Sequence, residues 1–98
     1  MEDCVFCKIA SGEISCQKIW EDGDYLAFLD VNPEAEGHTL IIPKKHYRWV
    51  WDVADYGGYF EKAREVVKVL QGRYRAEWIE MKVMGNLVPH AHIHLIPR

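Results

Sequence analysis

The sequence predicts an α+β domain: a mostly antiparallel sheet with one long helix across one face. Three observations point there. Short apolar runs rich in strand-forming residues alternate with turn signals through the first half of the chain. Between residues 56 and 74, Tyr59, Phe60, Ala63, Val66, Val67, Leu70 and Tyr74 recur three or four apart, which is one face of an amphipathic helix about five turns long. Two more strand-like runs follow that helix. Strands, a helix, then strands is the order of a segregated α+β architecture, not of a parallel sheet.

The elements can be justified in turn. Val5–Ala10 is a short amphipathic stretch ending near Ser11-Gly12, read as one or two helical turns. Lys18–Glu21 is a short strand, and Asp22-Gly23-Asp24 a tight turn of hairpin type. Residues 25–30 form the next strand. Asn32-Pro33 through Glu36-Gly37 is a loop, and residues 38–42 are a third strand closed by Pro43. Residues 44–53 carry no clear pattern; Trp49, Val50 and Trp51 are expected to pack, with Trp78, in the core or an interface. Residues 78–84 and 90–96 are the last two strands, joined by a turn at Gly85-Asn86.

The chain has 98 residues, 49% of them apolar and four of them tryptophan, which suits one small domain spanning 1–98. A core of this size leaves a thin stability margin, so a metal or a partner subunit would help. A formal net charge of −3 gives no basic footprint for a nucleic acid polymer. No apolar run is long enough to cross a membrane, and Met1-Glu2-Asp3-Cys4 has no signal-peptide pattern. We therefore expect a soluble cytoplasmic protein. Three cysteines are not a disulfide framework.

The chemistry concentrates near the end of the chain. His90-Ala91-His92-Ile93-His94 places three of the five histidines at every second residue. A strand sends such residues to one face, about 6.6 Å apart, with Ala91, Ile93 and Leu95 on the other. Each imidazole brings two nitrogens that need partners, so the row suits work on a phosphate or metal binding better than core packing. Cys4 and Cys7 have the two-residue gap that lets two thiolates share a tetrahedral metal. His46 and one histidine of the row would complete a Cys2His2 shell, a structural zinc worth roughly 10–16 kcal/mol in apparent binding energy. The alternative is that Cys4 and Cys7 are small buried apolar residues and His46 a surface one. Cys16 has no evident partner.

With these residues in view, the chain resembles the histidine-triad (HIT) family. The resemblance runs through Cys4-Val5-Phe6-Cys7-Lys8-Ile9, Glu21-Asp22 and Ala27-Phe28-Leu29-Asp30. It continues in Gly37-His38-Thr39-Leu40-Ile41-Ile42-Pro43-Lys44-Lys45-His46 and ends with His90-Ala91-His92-Ile93-His94. The resemblance implies a HIT-like fold whose five-stranded sheet extends across a homodimer. It implies a hydrolase acting at the α-phosphorus of a purine, especially adenosine, nucleotide: a dinucleoside polyphosphate or a nucleoside phosphoramidate. His92 matches the nucleophile, which forms a nucleotidyl-histidine, and His94 the residue at phosphate and leaving group. His38 matches the histidine that supports the triad. Asp30 matches the carboxylate at the ribose hydroxyls, and Val5, Phe6, Ile9, Phe28, Leu29 and Val31 the apolar base slot. Zinc-containing relatives place their ligands at positions matching Cys4, Cys7, His46 and His90, so His90 is structural and the metal shell closed.

One stretch departs from the pattern. Many relatives carry a Gly-Gln-Ser/Thr-Val run before the triad; here Asn86 stands for the Gln and Leu87 for the hydroxyl residue. Asn86 can still donate to phosphate through its amide, whereas Leu87 has only its main chain. That loss motivates a second expectation, a nucleotide-binding or interaction module with little turnover. A third is a hydrolase with an open zinc site.

Overall fold

A computed structural model describes residues 4–98. The elements run α1 (Val5–Ala10), β1 (Lys18–Glu21), β2 (Tyr25–Leu29), β3 (Thr39–Pro43), a 3-10 turn (Val50–Asp52), α2 (Tyr56–Arg73), β4 (Ile79–Val83) and β5 (Ile93–Pro97). The strands form one sheet in the order β1-β2-β3-β5-β4, every neighbouring pair antiparallel. The expected α+β fold, with five strands, one long helix and one short one, is what the chain adopts.

Strand alternation divides the apolar residues between two layers. Tyr25, Ala27, Ile41, Ala91, Ile93 and Leu95 share a cluster with Tyr59, Ala63, Val66 and Leu70 of α2. Leu26, Phe28, Leu40 and Ile42 cluster with Cys4 and Phe6 on the opposite face, beneath α1. Local chemistry secures the ends. The Asp22 carboxylate accepts from the amides of Asp24 and Tyr25 at 2.8 and 2.7 Å, which closes the β1–β2 turn. The Asp55 carboxylate accepts from the Gly58 amide and caps α2. Tyr59 stacks on Tyr25, and its hydroxyl donates to the Ile41 carbonyl at 2.6 Å, fixing α2 on β3. Gly37 has φ +86°, and a Cβ there would meet the Tyr74 ring at 2.8 Å. Both facts make glycine the residue for that approach into β3.

The main correction concerns the triad strand. It was expected over residues 90–96, but β5 begins at Ile93, so only His94 lies in a strand. The backbone before it bonds elsewhere. The Ala91 amide donates to the Tyr47 carbonyl at 2.7 Å, and the His90 amide to the Val88 carbonyl at 2.8 Å. The β3 register ends at Ile41↔Ile93; carried on toward His90 it would set Ile42 opposite His92 and Pro43 opposite Ala91. Pro43 has no N–H, and its carbonyl accepts from the His90 side chain at 2.8 Å. Side chains still alternate: Ala91, Ile93 and Leu95 join the α2-side cluster, while Phe6 of α1 meets the rings of His90 and His92. Elsewhere the ends shift by a residue: β2 stops at Leu29, β3 runs from Thr39 to include Pro43, α2 stops at Arg73, and β4 spans Ile79–Val83. In the unassigned stretch, Val50 and Val53 enter the core, while Trp51 and Trp78 are mostly exposed.

Candidate active site and metal centre

Four histidines, His38, His90, His92 and His94, are buried together, while the neighbouring buried Thr39 alternates with His38 and falls in register with Leu95 of the α2 face. His38 arrives from the start of β3 and His94 from β5. His90 and His92 come from the extended run before β5. Only a small part of His92 (4%) and His94 (7%) reaches solvent. Phe6 of α1 stands edge-on to the rings of both His90 and His92, at 5.9 and 5.2 Å between centroids. The His92 and His94 rings are 5.0 Å apart.

Hydrogen-bond partners assign the tautomer of each ring. His92 Nδ1 lies 2.8 Å from the His90 carbonyl, which can only accept, so the proton is on Nδ1 and Nε2 presents a bare lone pair. His90 Nε2 donates to the Pro43 carbonyl, which leaves its Nδ1 bare. The Glu34 amide donates to His38 Nδ1 at 3.0 Å, so the His38 proton is on Nε2. That Nε2–H reaches His94 Nδ1 at 3.0 Å, with Asp30 Oδ2 at 3.5 Å from the same nitrogen. His94 must then carry its proton on Nε2, a buried donor with no partner among the described residues.

Electrostatics agree with neutral rings. Burial holds the pKa of His38 and His92 below the usual histidine value and takes His94 to about 4. At His92, the Asp30 carboxylate opposes this shift and Arg48 adds to it. All three are therefore neutral at pH 7, as a nucleophile or a neutral donor requires.

The second cluster joins the chain's two ends. Cys4 Sγ lies 3.2 Å from His90 Nδ1; Cys7 Sγ lies 3.2 Å from His46 Nδ1 and 3.4 Å from His90 Nδ1. Donors around a tetrahedral zinc ion would sit about 3.5 Å apart, given zinc–sulfur and zinc–nitrogen bonds of roughly 2.3 and 2.1 Å. The four residues could therefore hold a metal ion. Burial, reinforced by the Cys4 sulfur, pushes the Cys7 thiol up to about 11. A divalent cation between the sulfurs reverses that penalty. The Pro43 carbonyl also fixes the His90 ring with Nδ1 toward the cluster, the outer-sphere support metal-bound histidines normally have. Asp30, His38 and His94 also converge within metal-binding reach. Their geometry argues against a metal, because the Glu34 amide keeps a proton on the His38 nitrogen that would have to ligate.

The HIT domain family model matches residues 11–98 of this sequence. The chain belongs to the HIT family. An uncharacterized HIT-like protein of Methanocaldococcus jannaschii is 40% identical over 101 residues, covering 97% of this chain and 78% of that protein. The adenosine 5'-monophosphoramidase of Schizosaccharomyces pombe is 34% identical over 97% of this chain and 74% of its own length. The crystal structure of a Streptococcus mutans protein superposes with a TM-score of 0.93 at 38% identity, covering all of this chain (100%) and 67% of that one.

The HIT fold brings together most, but not all, of the residues singled out from sequence. His38, His92, His94 and Asp30 converge, as do Cys4, Cys7, His46 and His90. Of the apolar set, Phe6 and Phe28 are buried and meet edge-on at 5.6 Å, with Ile9 packed against their cluster. Leu29 is half-buried, Val5 is exposed, and the Val31 side chain is 89% exposed. Asn86 is exposed, and so is Leu87, at 80%. Two contributors were missed. Arg48 donates to the Gly85 carbonyl at 2.8 Å and lies over the Trp49 ring at 3.6 Å, bracing the loop before the triad. It falls in the stretch with no readable pattern. Glu34 contributes through its amide, a group every residue but proline has, so no sequence signal marked it.

Proposed function

We propose that this HIT protein is a nucleotide phosphohydrolase working at the α-phosphorus through His92. The observation that carries the reading is the Nδ1–H of His92 on the His90 carbonyl, which leaves Nε2 as a neutral, fixed nucleophile. Nε2 attacks phosphorus, an Nε2–P bond forms, and the P–O or P–N bond to the leaving group breaks. The departing group accepts a hydrogen bond from the Nε2–H of His94, a ring that His38 supports through its Nδ1, and takes its proton from solvent. The attacking His92 ring becomes cationic, which the His90 carbonyl stabilises. Water then attacks phosphorus, the His92 Nε2–P bond breaks and the ring returns to neutrality, the water proton passes to solvent, and a nucleoside monophosphate leaves.

Asp30, beside this pair, would accept from ribose hydroxyls, and Phe6 and Phe28 with Ile9 packed against them would supply apolar surface for a base; Val5, Leu29 and Val31 complete the set the family resemblance implies. Asn86 offers an amide to phosphate. An adenosine-containing substrate is supported by the S. pombe relative, named a monophosphoramidase. Cys4, Cys7, His46 and His90 would hold a structural zinc in a closed shell, which supplies stability and no open coordination site. A homodimer is supported by β4, an edge strand whose Met81 and Val83 are exposed beside Trp78 and a groove lined by Val67 of α2. The free thiols of Cys4, Cys7 and Cys16 suit the reducing cytoplasm.

The test is to trap the intermediate. Adenosine 5'-phosphoramidate is mixed with enzyme, quenched in alkali within milliseconds and analysed by peptide mass spectrometry. Adenylylated His92 is the expected product. Turnover with the adduct on another residue, or a wild type that binds adenosine monophosphate but never turns over, overturns the reading; the second result makes the chain a binding module.

A further inference from the structure

The geometry points to Glu34 as a positioning residue whose carboxylate, clamped by Lys82 and Arg98, holds its own amide on His38 and so sets which nitrogen of His94 carries the proton. Glu34 lies in the loop between β2 and β3, outside every motif discussed above. Its two carboxylate oxygens are divided between two cations: Lys82 Nζ on β4 reaches Oε2 at 2.9 Å, and Arg98 reaches Oε1 at 3.2 Å. Arg98 is itself held by Glu80 of β4 at 2.7 Å. Lys82 and His94 are register partners across β4 and β5, so the clamp is built on the strand beside His94.

The consequence passes along one line of hydrogen bonds. The Glu34 amide can only donate, so His38 Nδ1 must accept. His38 then donates from Nε2 to His94 Nδ1, and the remaining proton of His94 lies on Nε2. Were the loop to lift, His38 could protonate Nδ1 and turn a bare Nε2 toward His94. His94 would then protonate Nδ1 to meet it, and its Nε2 would lose the hydrogen that bonds to the leaving group. A loop of mostly exposed residues has little packing to resist such lifting. Two ion pairs to one carboxylate supply a tether where a single exposed pair would contribute little.

The inference rests on the reading of His94 as hydrogen-bond donor to the leaving group, yet the two fail separately, since ring tautomers are read without substrate. Nitrogen-15 shifts of the His38 and His94 rings are recorded for the wild type, Glu34→Ala, Lys82→Met and the distant surface variant Glu61→Gln. Values of kcat and KM on adenosine 5'-phosphoramidate are measured alongside. The wild type and Glu61→Gln should each show one tautomer, with His38 protonated on Nε2. Glu34→Ala and Lys82→Met should show exchange between tautomers and a kcat lowered about tenfold, part of what a positioned hydrogen-bond donor contributes, with KM changed less than about twofold. Unshifted tautomers in Glu34→Ala overturn the proposal, as does a shift with kcat unchanged. A wild type with the expected tautomers and no turnover overturns the hydrolase reading instead.

Discussion

The two faces of the segment from His90 to Leu95 are equally buried and held in place by different physics. Toward α2, Ala91, Ile93 and Leu95 are 0–1% exposed and satisfied by packing alone. Toward α1, His90, His92 and His94 are 0–7% exposed, and each ring is oriented by a hydrogen bond to a named partner. Packing tolerates a swap of similar volume; a directed hydrogen bond does not. The apolar face makes the segment stay, and the histidine face carries the chemistry proposed for it.

The comparison breaks most completely at the metal cluster. With the proposed zinc in the Cys4, Cys7, His46 and His90 cluster, a strong chelator or Cys7→Ala should unfold the α1 side and lower the thermal midpoint sharply, since structural zinc is worth roughly 10–16 kcal/mol. Metal content by mass spectrometry and a calorimetric scan check this; a chelated protein with an unchanged midpoint contradicts it. His92→Ala should leave folding intact and reduce kcat by about a thousandfold or more, as nucleophile removal does elsewhere. Leu95→Ala on the opposite face should do the reverse, costing about 2–5 kcal/mol of stability with kcat per folded molecule nearly unchanged. Denaturant titration beside a turnover assay separates the two.

Acid should expose the difference more gently. Burial lowers the pKa of all four buried histidines, His90 and His94 to about 4. An unfolded chain protonates the same rings below about 6.5, so unfolding takes up protons between those values. Stability should thus be level above about pH 6.5 and fall as pH drops toward 4, and the acid limb of kcat/KM should lie below 6.5. A midpoint that rises on acidification across that window would contradict the assignment of neutral rings.

Much of this was legible because the signals are local. Tyr59, Ala63, Val66 and Leu70 announce α2 by spacing alone, and Asp22-Gly23 announces its turn. The pairing of Cys4 and Cys7 with His46 and His90 was readable as ligand chemistry, with the family resemblance choosing the fourth member. What escaped was set by distant partners. The start of β5 at Ile93 depends on Pro43 having no N–H and on the Tyr47 carbonyl taking the Ala91 amide. Neither is visible from the alternation of residues 90–96. Arg48 gains its position from the Gly85 carbonyl, and Trp51 and Trp78, expected in the core or an interface, are both outside the core of the single chain.

The groups that steer three of the four rings are the carbonyls of Pro43 and His90 and the amide of Glu34. No codon change deletes a carbonyl, and only proline removes an amide. An alanine scan would therefore stay blind to the carbonyls of positions 43 and 90, and would see the amide of position 34 only through the side chain that tethers it. In this protein the aim of the histidine rings is inherited from the path of the chain, and a side chain resets it only by moving that path.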